Sequence, residues 1–117
     1  MAIQVGHRDS LVEECGVAIW RWLIQSVHQR WPGADVRYQA YSGINYRHWR
    51  VLLPTGQYFM LAMTEDTLDA LGPEAITARL ESAGWPDRAL KLPTAGVLLT
   101  RDGELVSWEP HAGAAKV

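Results

Sequence analysis

The strongest constraint on the fold is a helical segment at residues 11–30 that is apolar around most of its circumference. Its polar stripe is narrow and is formed, at helical spacing, by Glu14, Arg21, Gln25 and His28. A helix that rests on one sheet needs an apolar arc of roughly 100° or somewhat more. The arc here is wider, so either the same chain covers both flanks of the helix or a second subunit buries part of it.

Both ends of this helix carry sequence signals. Ser10 and Glu13 have the spacing of a capping box, in which the serine hydroxyl accepts from the Glu13 amide and the glutamate side chain reaches back. The tripeptide Trp-Pro-Gly at 31–33 ends the helix, because proline cannot continue the ladder and disfavours helix at the residue before it. Cys15 lies among apolar neighbours in the second turn, so we interpret it as a core residue rather than a nucleophile.

After the helix, strand-like runs joined by short turns occur at 36–41, 46–53 and 57–63. Short connections make neighbouring strands antiparallel, so the runs predict a meander. Helical patterns follow at 65–71, where Thr64 is the expected N-cap, and at 73–83. The segment that begins at 85–87 is interpreted as an irregular link.

A hairpin is predicted near the C-terminus, with Asp102-Gly103 as a two-residue turn. This turn would pair Arg101 with Glu104 and Val97 with Trp108. The strand face that holds Val97, Leu99, Val106 and Trp108 is apolar, so it is expected to pack inward.

Together these elements predict an α+β domain in the order α-β-β-β-α-α-β-β. One antiparallel sheet of about five strands, the meander 36–63 plus the hairpin 95–109, would pack on the long N-terminal helix. A chain of 117 residues is the size of a single domain. We expect an ordered core at about 9–109 and a flexible tail at 110–117.

Composition narrows the class of protein. Hydrophobic residues make up 48% of the chain and charged residues 21%, which is typical of globular proteins and excludes a disordered one. A single cysteine allows no internal disulfide, and neither a signal peptide nor a membrane span is visible. Arginine outnumbers lysine, as in proteins of GC-rich bacteria. These features favour a bacterial cytoplasmic protein.

Charge is unevenly distributed, which raises the possibility of nucleic-acid binding. Residues 21–50 carry five arginines and one aspartate, a net +4, whereas the whole chain has a net charge of −2. A nucleic-acid-binding domain is usually basic overall, so the total charge disfavours this function. Nucleic-acid binding through the arginines and aromatic residues of strands 37–50 therefore ranks as the last of four hypotheses.

Aromatic and basic residues interleave on the first two predicted strands. Side chains alternate along a strand, so Tyr46, His48 and Arg50 share one face while Arg47, Trp49 and Val51 share the other. Such a face can stack a ring and neutralise an anion, although it is also what an ordinary solvated face looks like. The candidate ligand-binding residues, for a small apolar, aromatic or anionic ligand in an aromatic-lined pocket, are Tyr41, Tyr46, His48, Arg50 and Tyr58.

The first hypothesis is a homodimer formed through the long helix or a sheet edge. Six tryptophans make the chain Trp-rich, and tryptophan, tyrosine and arginine are enriched at interface hot spots. Trp20 and Trp22 do not both fit one sheet-facing stripe, because residues two apart on a helix point about 200° apart. The candidate interface residues are Val17, Trp20, Trp22 and Ile24.

The sequence contains no clear metal-binding or catalytic motif. The four histidines, His7, His28, His48 and His111, have neither i,i+4 helical spacing nor CxxC companions, so we predict no metal site and no cofactor. No catalytic residue can be named, and an enzyme of unknown reaction ranks third. The sequence thus favours an interaction domain that associates with itself, followed by a ligand-binding module.

Overall fold

The computed structural model describes residues 2–40 and 45–109, with side chains for 11–39 and 45–109. The α+β class and the predicted element order are confirmed. In chain order the elements are α1 (Ala2–Arg30), β1 (Asp35–Ala40), β2 (Tyr46–Leu52), β3 (Tyr58–Thr64), α2 (Glu65–Ala83), α3 (Trp85–Lys91), β4 (Gly96–Leu99) and β5 (Leu105–Ser107). The predicted tail at 110–117 lies outside the described residues.

Helix α1 begins earlier than the sequence signal indicates. Its backbone is already helical at Ala2, so the predicted start and the capping box at Ser10 are wrong. The end is as predicted: the helix ends at Arg30, the Trp31 amide donates to the Val27 carbonyl at 2.7 Å, and Gly33 turns the chain with φ of 88°.

The five strands form one sheet in the order β1-β2-β3-β4-β5. Strands β1, β2 and β3 form the predicted antiparallel meander, and β4 and β5 form an antiparallel hairpin. Strand β4, however, runs parallel to β3, so the sheet is mixed and the prediction of a purely antiparallel sheet is wrong. The reason is the crossover through α2 and α3, which returns the chain to the end of the sheet at which β3 began.

The hairpin register also differs from the prediction by one residue. Val97 lies opposite Ser107. The loop between the strands has three residues, 101–103, and is closed by the Thr100 amide, which donates to the Glu104 carbonyl at 2.8 Å. Gly103, with φ of 86°, is the left-handed residue that such a loop requires. A shift of one residue exchanges the faces of a strand, so Val106 points outward, contrary to the prediction, and Leu105 is buried instead.

The helical connection has two parts. The helices predicted at 65–71 and 73–83 both lie in α2, and the predicted break between them is confirmed, since Gly72 has a non-helical φ of 80°. Thr64 is the N-cap, as predicted. Helix α3 occupies the segment that the sequence indicated as irregular. Its proline lies in the first turn, where a missing N–H costs nothing, so Trp-Pro is compatible with a helix start here.

The three helices pack on one face of the sheet. That face carries Trp49, Phe59 and Leu61, which are fully buried. Helix α1 contacts β1 on one flank and α2 on the other. Trp20 serves the first flank, donating its indole N–H to the Val36 carbonyl at 2.8 Å, whereas Trp22 lines a groove toward α2 and α3. The same chain therefore covers both flanks of α1.

Helix α1 approaches the sheet closely at Gly16. The indole of buried Trp49 donates to the Gly16 carbonyl at 3.1 Å, and the Tyr38 ring stacks on Trp49 with centroids 5.2 Å apart. A Cβ atom at position 16 would lie only 2.6 Å from Tyr38 Cζ. Only glycine therefore allows the helix to rest on this aromatic pair.

We predict that Gly16→Ala lowers the free energy of unfolding by about 2 kcal/mol, because the added methyl group displaces a ring held by stacking. In a Tyr38→Ala background the same substitution should be neutral or stabilising by up to about 1 kcal/mol, since alanine is the better helix former. Urea denaturation of the four proteins measures both effects. An equal loss in both backgrounds would show that Tyr38 is not the obstacle.

Candidate functional site

Four of the five predicted ligand-binding residues lie on the face of the sheet that the helices leave uncovered, here called the open face. Strand β2 alternates, so Tyr46, His48 and Arg50 point to the open face while Trp49 is buried beneath the helices. Tyr58 on β3 lies opposite Leu52 of β2 and shares this face. The fifth predicted residue, Tyr41, lies outside the described residues.

The centre of the open face is shielded by its own side chains. His48, Met60 and Ala62 on the two middle strands are each at most 6% exposed. Trp108 lies over Gly96, where a Cβ atom would meet its ring at 3.4 Å, and its centroid is 6.2 Å from that of His48. The prediction that Trp108 faces inward is thus wrong, because the one-residue shift of β5 turns it to the open face.

His48 is the buried polar group of this surface. Its Nε2 lies 2.9 Å from Gln39 Oε1. Burial, and then the charge of Arg50, lower the pKa of His48, so the ring is neutral at pH 7. The Arg50 guanidinium lies 4.8 Å above the Tyr58 ring, in a cation–π contact.

Apolar side chains remain exposed around this centre. The exposed fractions are 41% for Leu52, 38% for Tyr58 and 39% for Val106. Beside them is a hollow of about 230 Å³ lined by Arg37 and Arg50, which lie opposite each other on β1 and β2. The open face therefore combines apolar area, aromatic rings and two guanidinium groups.

A buried ion network, absent from our sequence-based set of candidates, joins the sheet to α1 and α2. Arg47 is 8% exposed, and its Nε and Nη2 donate to Glu65 Oε2 at 3.1 and 2.9 Å. Its Nη1 donates to Glu13 and, at 2.9 Å, to Tyr38 Oη. Strand alternation already placed Arg47 on the inner face beside Trp49, and an inward arginine needs buried acceptors.

This network raises the pKa of Arg47. Burial alone lowers it, but the hydrogen bonds to Glu13 and Glu65 outweigh burial and hold the guanidinium charged. Glu13 thus binds the sheet rather than capping a helix. Elsewhere Arg30 pairs with Asp87, and Arg37 pairs with Asp35. Acidic residues outside segment 21–50 therefore pair with Arg30 and Arg47, two of the five arginines on which the nucleic-acid hypothesis depends.

Cys15 has the properties of a core thiol, as predicted. It is 6% exposed, lies 3.8 Å from the Leu68 carbonyl oxygen, and burial raises its pKa to about 11. The thiol is therefore protonated at neutral pH, which is the opposite of an activated nucleophile. Among the side chains described at 11–39 and 45–109, no three of His, Cys, Asp or Glu lie close enough together to hold a metal ion.

The predicted interface residues on α1 are partly used within the chain. Val17, Trp20, Trp22 and Ile24 are all half-buried. The bond from Trp20 to the Val36 carbonyl also occupies an acceptor of edge strand β1, and such blocking protects an edge against further strands. Both the helix flanks and this edge are thus partly occupied by contacts within the chain.

Comparisons with known proteins do not assign the chain to a family. No family model matches its sequence, and no curated protein or solved structure is significantly similar to it. In the described part of the chain, no helix has an apolar stretch long enough to cross a membrane. Function is therefore inferred from the chemistry of the surfaces.

We predict that Arg47→Met lowers the free energy of unfolding by about 2 kcal/mol, because it leaves two carboxylates near the core without their partner. The cost stays below the upper range for buried pairs because the Glu13 side chain is 51% exposed and can rehydrate. Arg37→Met is the matched control on the neighbouring strand. Its ion pair with Asp35 is exposed, so it should cost less than about 0.5 kcal/mol in the same urea titration.

His48 should make the protein less stable in acid. Its folded pKa lies below the unfolded value of about 6.5, so below this pH the unfolded chain binds a proton more readily. The free energy of unfolding is thus expected to fall between pH 7 and pH 5 more steeply in wild type than in His48→Gln. Denaturation at both pH values measures the difference; parallel slopes would contradict the prediction.

Proposed function

We propose that the protein is an interaction domain that forms a homodimer through the open face of its sheet. The observation that carries the proposal is the group of exposed apolar side chains on that face, Leu52, Tyr58 and Val106. Leu52 and Tyr58 lie opposite each other on β2 and β3, and Val106 lies on β5 beyond the buried centre of the same face. Exposed apolar area of this kind is a feature of interaction surfaces. The buried centre around His48 and Met60 supplies a firm base for such a contact.

The size of the open face limits the strength of a dimer. Strands lie about 4.8 Å apart; β1, β2 and β3 are roughly 20 Å long, whereas β4 and β5, with four and three residues, are only about 10 Å long, so the face presents roughly 400 Å² per copy. The combined area of about 800 Å² is that of a weak contact, so association depends on concentration. A net charge of only −2 adds little repulsion between copies.

A two-fold axis parallel to the strands suits the chemistry of the two halves of this face. It lays β1 and β2 of one copy across β4 and β5 of the other, because the axis reverses the strand order. Arg50 then approaches Trp108 of the partner subunit, and arginine over tryptophan is a favourable cation–π pair. The half of the face with the arginines, β1 and β2, thus meets the partner's half with the tryptophan, β4 and β5. The arginines of the two copies do not face each other.

The helix remains the competing route to a dimer. Val17 and Ile24 on α1 are half-buried and were the residues that the sequence favoured. Their flanks are partly covered by β1 and α2, so we place the interface on the sheet instead. The single buried cysteine fits a reducing compartment, and we propose a bacterial cytoplasmic location.

A second candidate function is binding of an aromatic anion on the same face. Arg37 and Arg50 oppose each other across β1 and β2 beside the hollow of about 230 Å³. Tyr58 lies under Arg50 and could extend the stack. The exposed pairing of Arg37 with Asp35 halves the available positive charge, so self-association is the stronger candidate.

Sedimentation velocity from about 1 µM to about 1 mM tests the dimer, which should form reversibly within this range. Val106→Glu should raise the dissociation constant at least about tenfold by burying a charge at the interface. Leu11→Glu is the matched control, since Leu11 is 46% exposed on α1, away from the sheet.

Each contrary outcome has a definite meaning. A monomer across the whole range would overturn self-association. A dimer that is lost in Val17→Glu but retained in Val106→Glu would move the interface to α1 and contradict the proposed surface.

A further inference from the structure

A second surface lies on the helical side of the molecule and is independent of the proposed dimer. A groove of about 390 Å³ lies between the C-terminal half of α1 and the adjoining ends of α2 and α3. Three of the six tryptophans line it, Trp22, Trp31 and Trp85. We call it the tryptophan groove; its volume is within the range of small-molecule sites.

The rings of the groove are held in place from the core. Trp31 meets Phe59 edge-on with centroids 5.6 Å apart, and Trp85 meets the same ring at 5.2 Å. Phe59 is fully buried, so both indoles rest on a fixed support. A ligand would meet aromatic surfaces that are already ordered, which lowers the entropic cost of binding.

Acidic groups lie at the rim of the groove. Glu81 and Asp87 are among its lining residues, and Arg30 is the cation that lines it in the described structure. The Arg30 guanidinium lies 4.3 Å from the centroid of the Trp31 ring and donates to Asp87. One side chain of the chain itself thus shows how a planar cation fits between an indole and a carboxylate.

The contact made by Arg30 is easily exchanged. The Arg30 and Asp87 side chains are 49% and 52% exposed, and ion pairs with this exposure contribute little to stability. Arg30 is also the last residue of α1, and a change of its side-chain rotamer leaves the backbone hydrogen bonds of the helix in place. A cation carrying an apolar body can displace it and also cover the exposed part of Trp22.

We propose that the tryptophan groove binds a small organic cation with a flat apolar body, and that Arg30 holds the cation position when no ligand is bound. The cationic group takes the place of the Arg30 guanidinium over Trp31 and against Asp87. The body of the ligand lies against Trp22 and above the buried edge of Trp85. A desolvated cation–π contact is stronger than the exposed one that Arg30 makes.

Three probes of one shape and different charge test the ligand class. The probes are benzamidinium, benzamide and benzoate. Binding of each is monitored by the indole N–H resonances of the protein in nitrogen–proton correlation spectra. Benzamidinium should give saturable shifts of Trp22 and Trp31 with a dissociation constant of about 1 mM, as expected for so small a probe. Benzamide should bind about tenfold more weakly. The resonance of Trp49, bonded to Gly16, is the internal control and should not move.

Variants at the two exposed charges test the role of Arg30. Arg30→Ala should strengthen benzamidinium binding several-fold by removing the competitor, and Asp87→Asn should weaken it several-fold. Arg37→Ala removes an arginine that is also paired with an aspartate but lies outside the groove and is more exposed, 77% against 49%, and it should have no effect. Equal binding of benzoate or benzamide, no saturation with benzamidinium, or weaker binding in Arg30→Ala would each overturn the proposal.

Discussion

The structure depends on one close contact, the crossing of α1 over the first two strands at Gly16. Because position 16 has no side chain, the Tyr38 and Trp49 rings can stack directly beneath the helix, and the Trp49 indole can bond to the helix backbone. This contact sets the height of α1 above the sheet. It also determines where the flanks of α1 meet β1 and α2.

Arg47 completes the same arrangement with charge. Its guanidinium binds Glu13 on α1 and Glu65 at the start of α2, so one strand residue aligns both helices with the sheet. The two carboxylates face a single cation, and Tyr38 adds a hydroxyl to the network. Aromatic stacking and the ion network are adjacent, so the sheet, α1 and α2 are joined at one end of the molecule.

Both proposed binding surfaces follow from this one-sided packing. The helices cover one face of a five-stranded sheet, so apolar side chains such as Leu52 and Val106 remain exposed on the other. At the far end, the tryptophan groove lies between the C-terminal half of α1 and the adjoining ends of α2 and α3, where indole rings line it.

Local patterns determined much of the architecture. Short turns after β1 and β2 allow only antiparallel pairing, and strand alternation separated Trp49 from His48 and Arg50 correctly. The width of the apolar arc on α1 indicated that more than one surface must cover it. Thr64 and Gly84 marked the ends of α2 because capping depends only on neighbouring backbone groups.

Only the tertiary structure decided what these patterns leave open. The direction of β4 depends on the path of a crossover, and the face of Val106 depends on whether a turn holds two residues or three. The partners of Arg47 come from residues 18 and 34 positions away, and Trp20 and Trp22 find separate partners on opposite flanks of α1. The hydrophobic effect favours burial of an apolar side chain, but it is non-directional and does not specify which segment buries that side chain. The covering segment is therefore decided only when the elements pack.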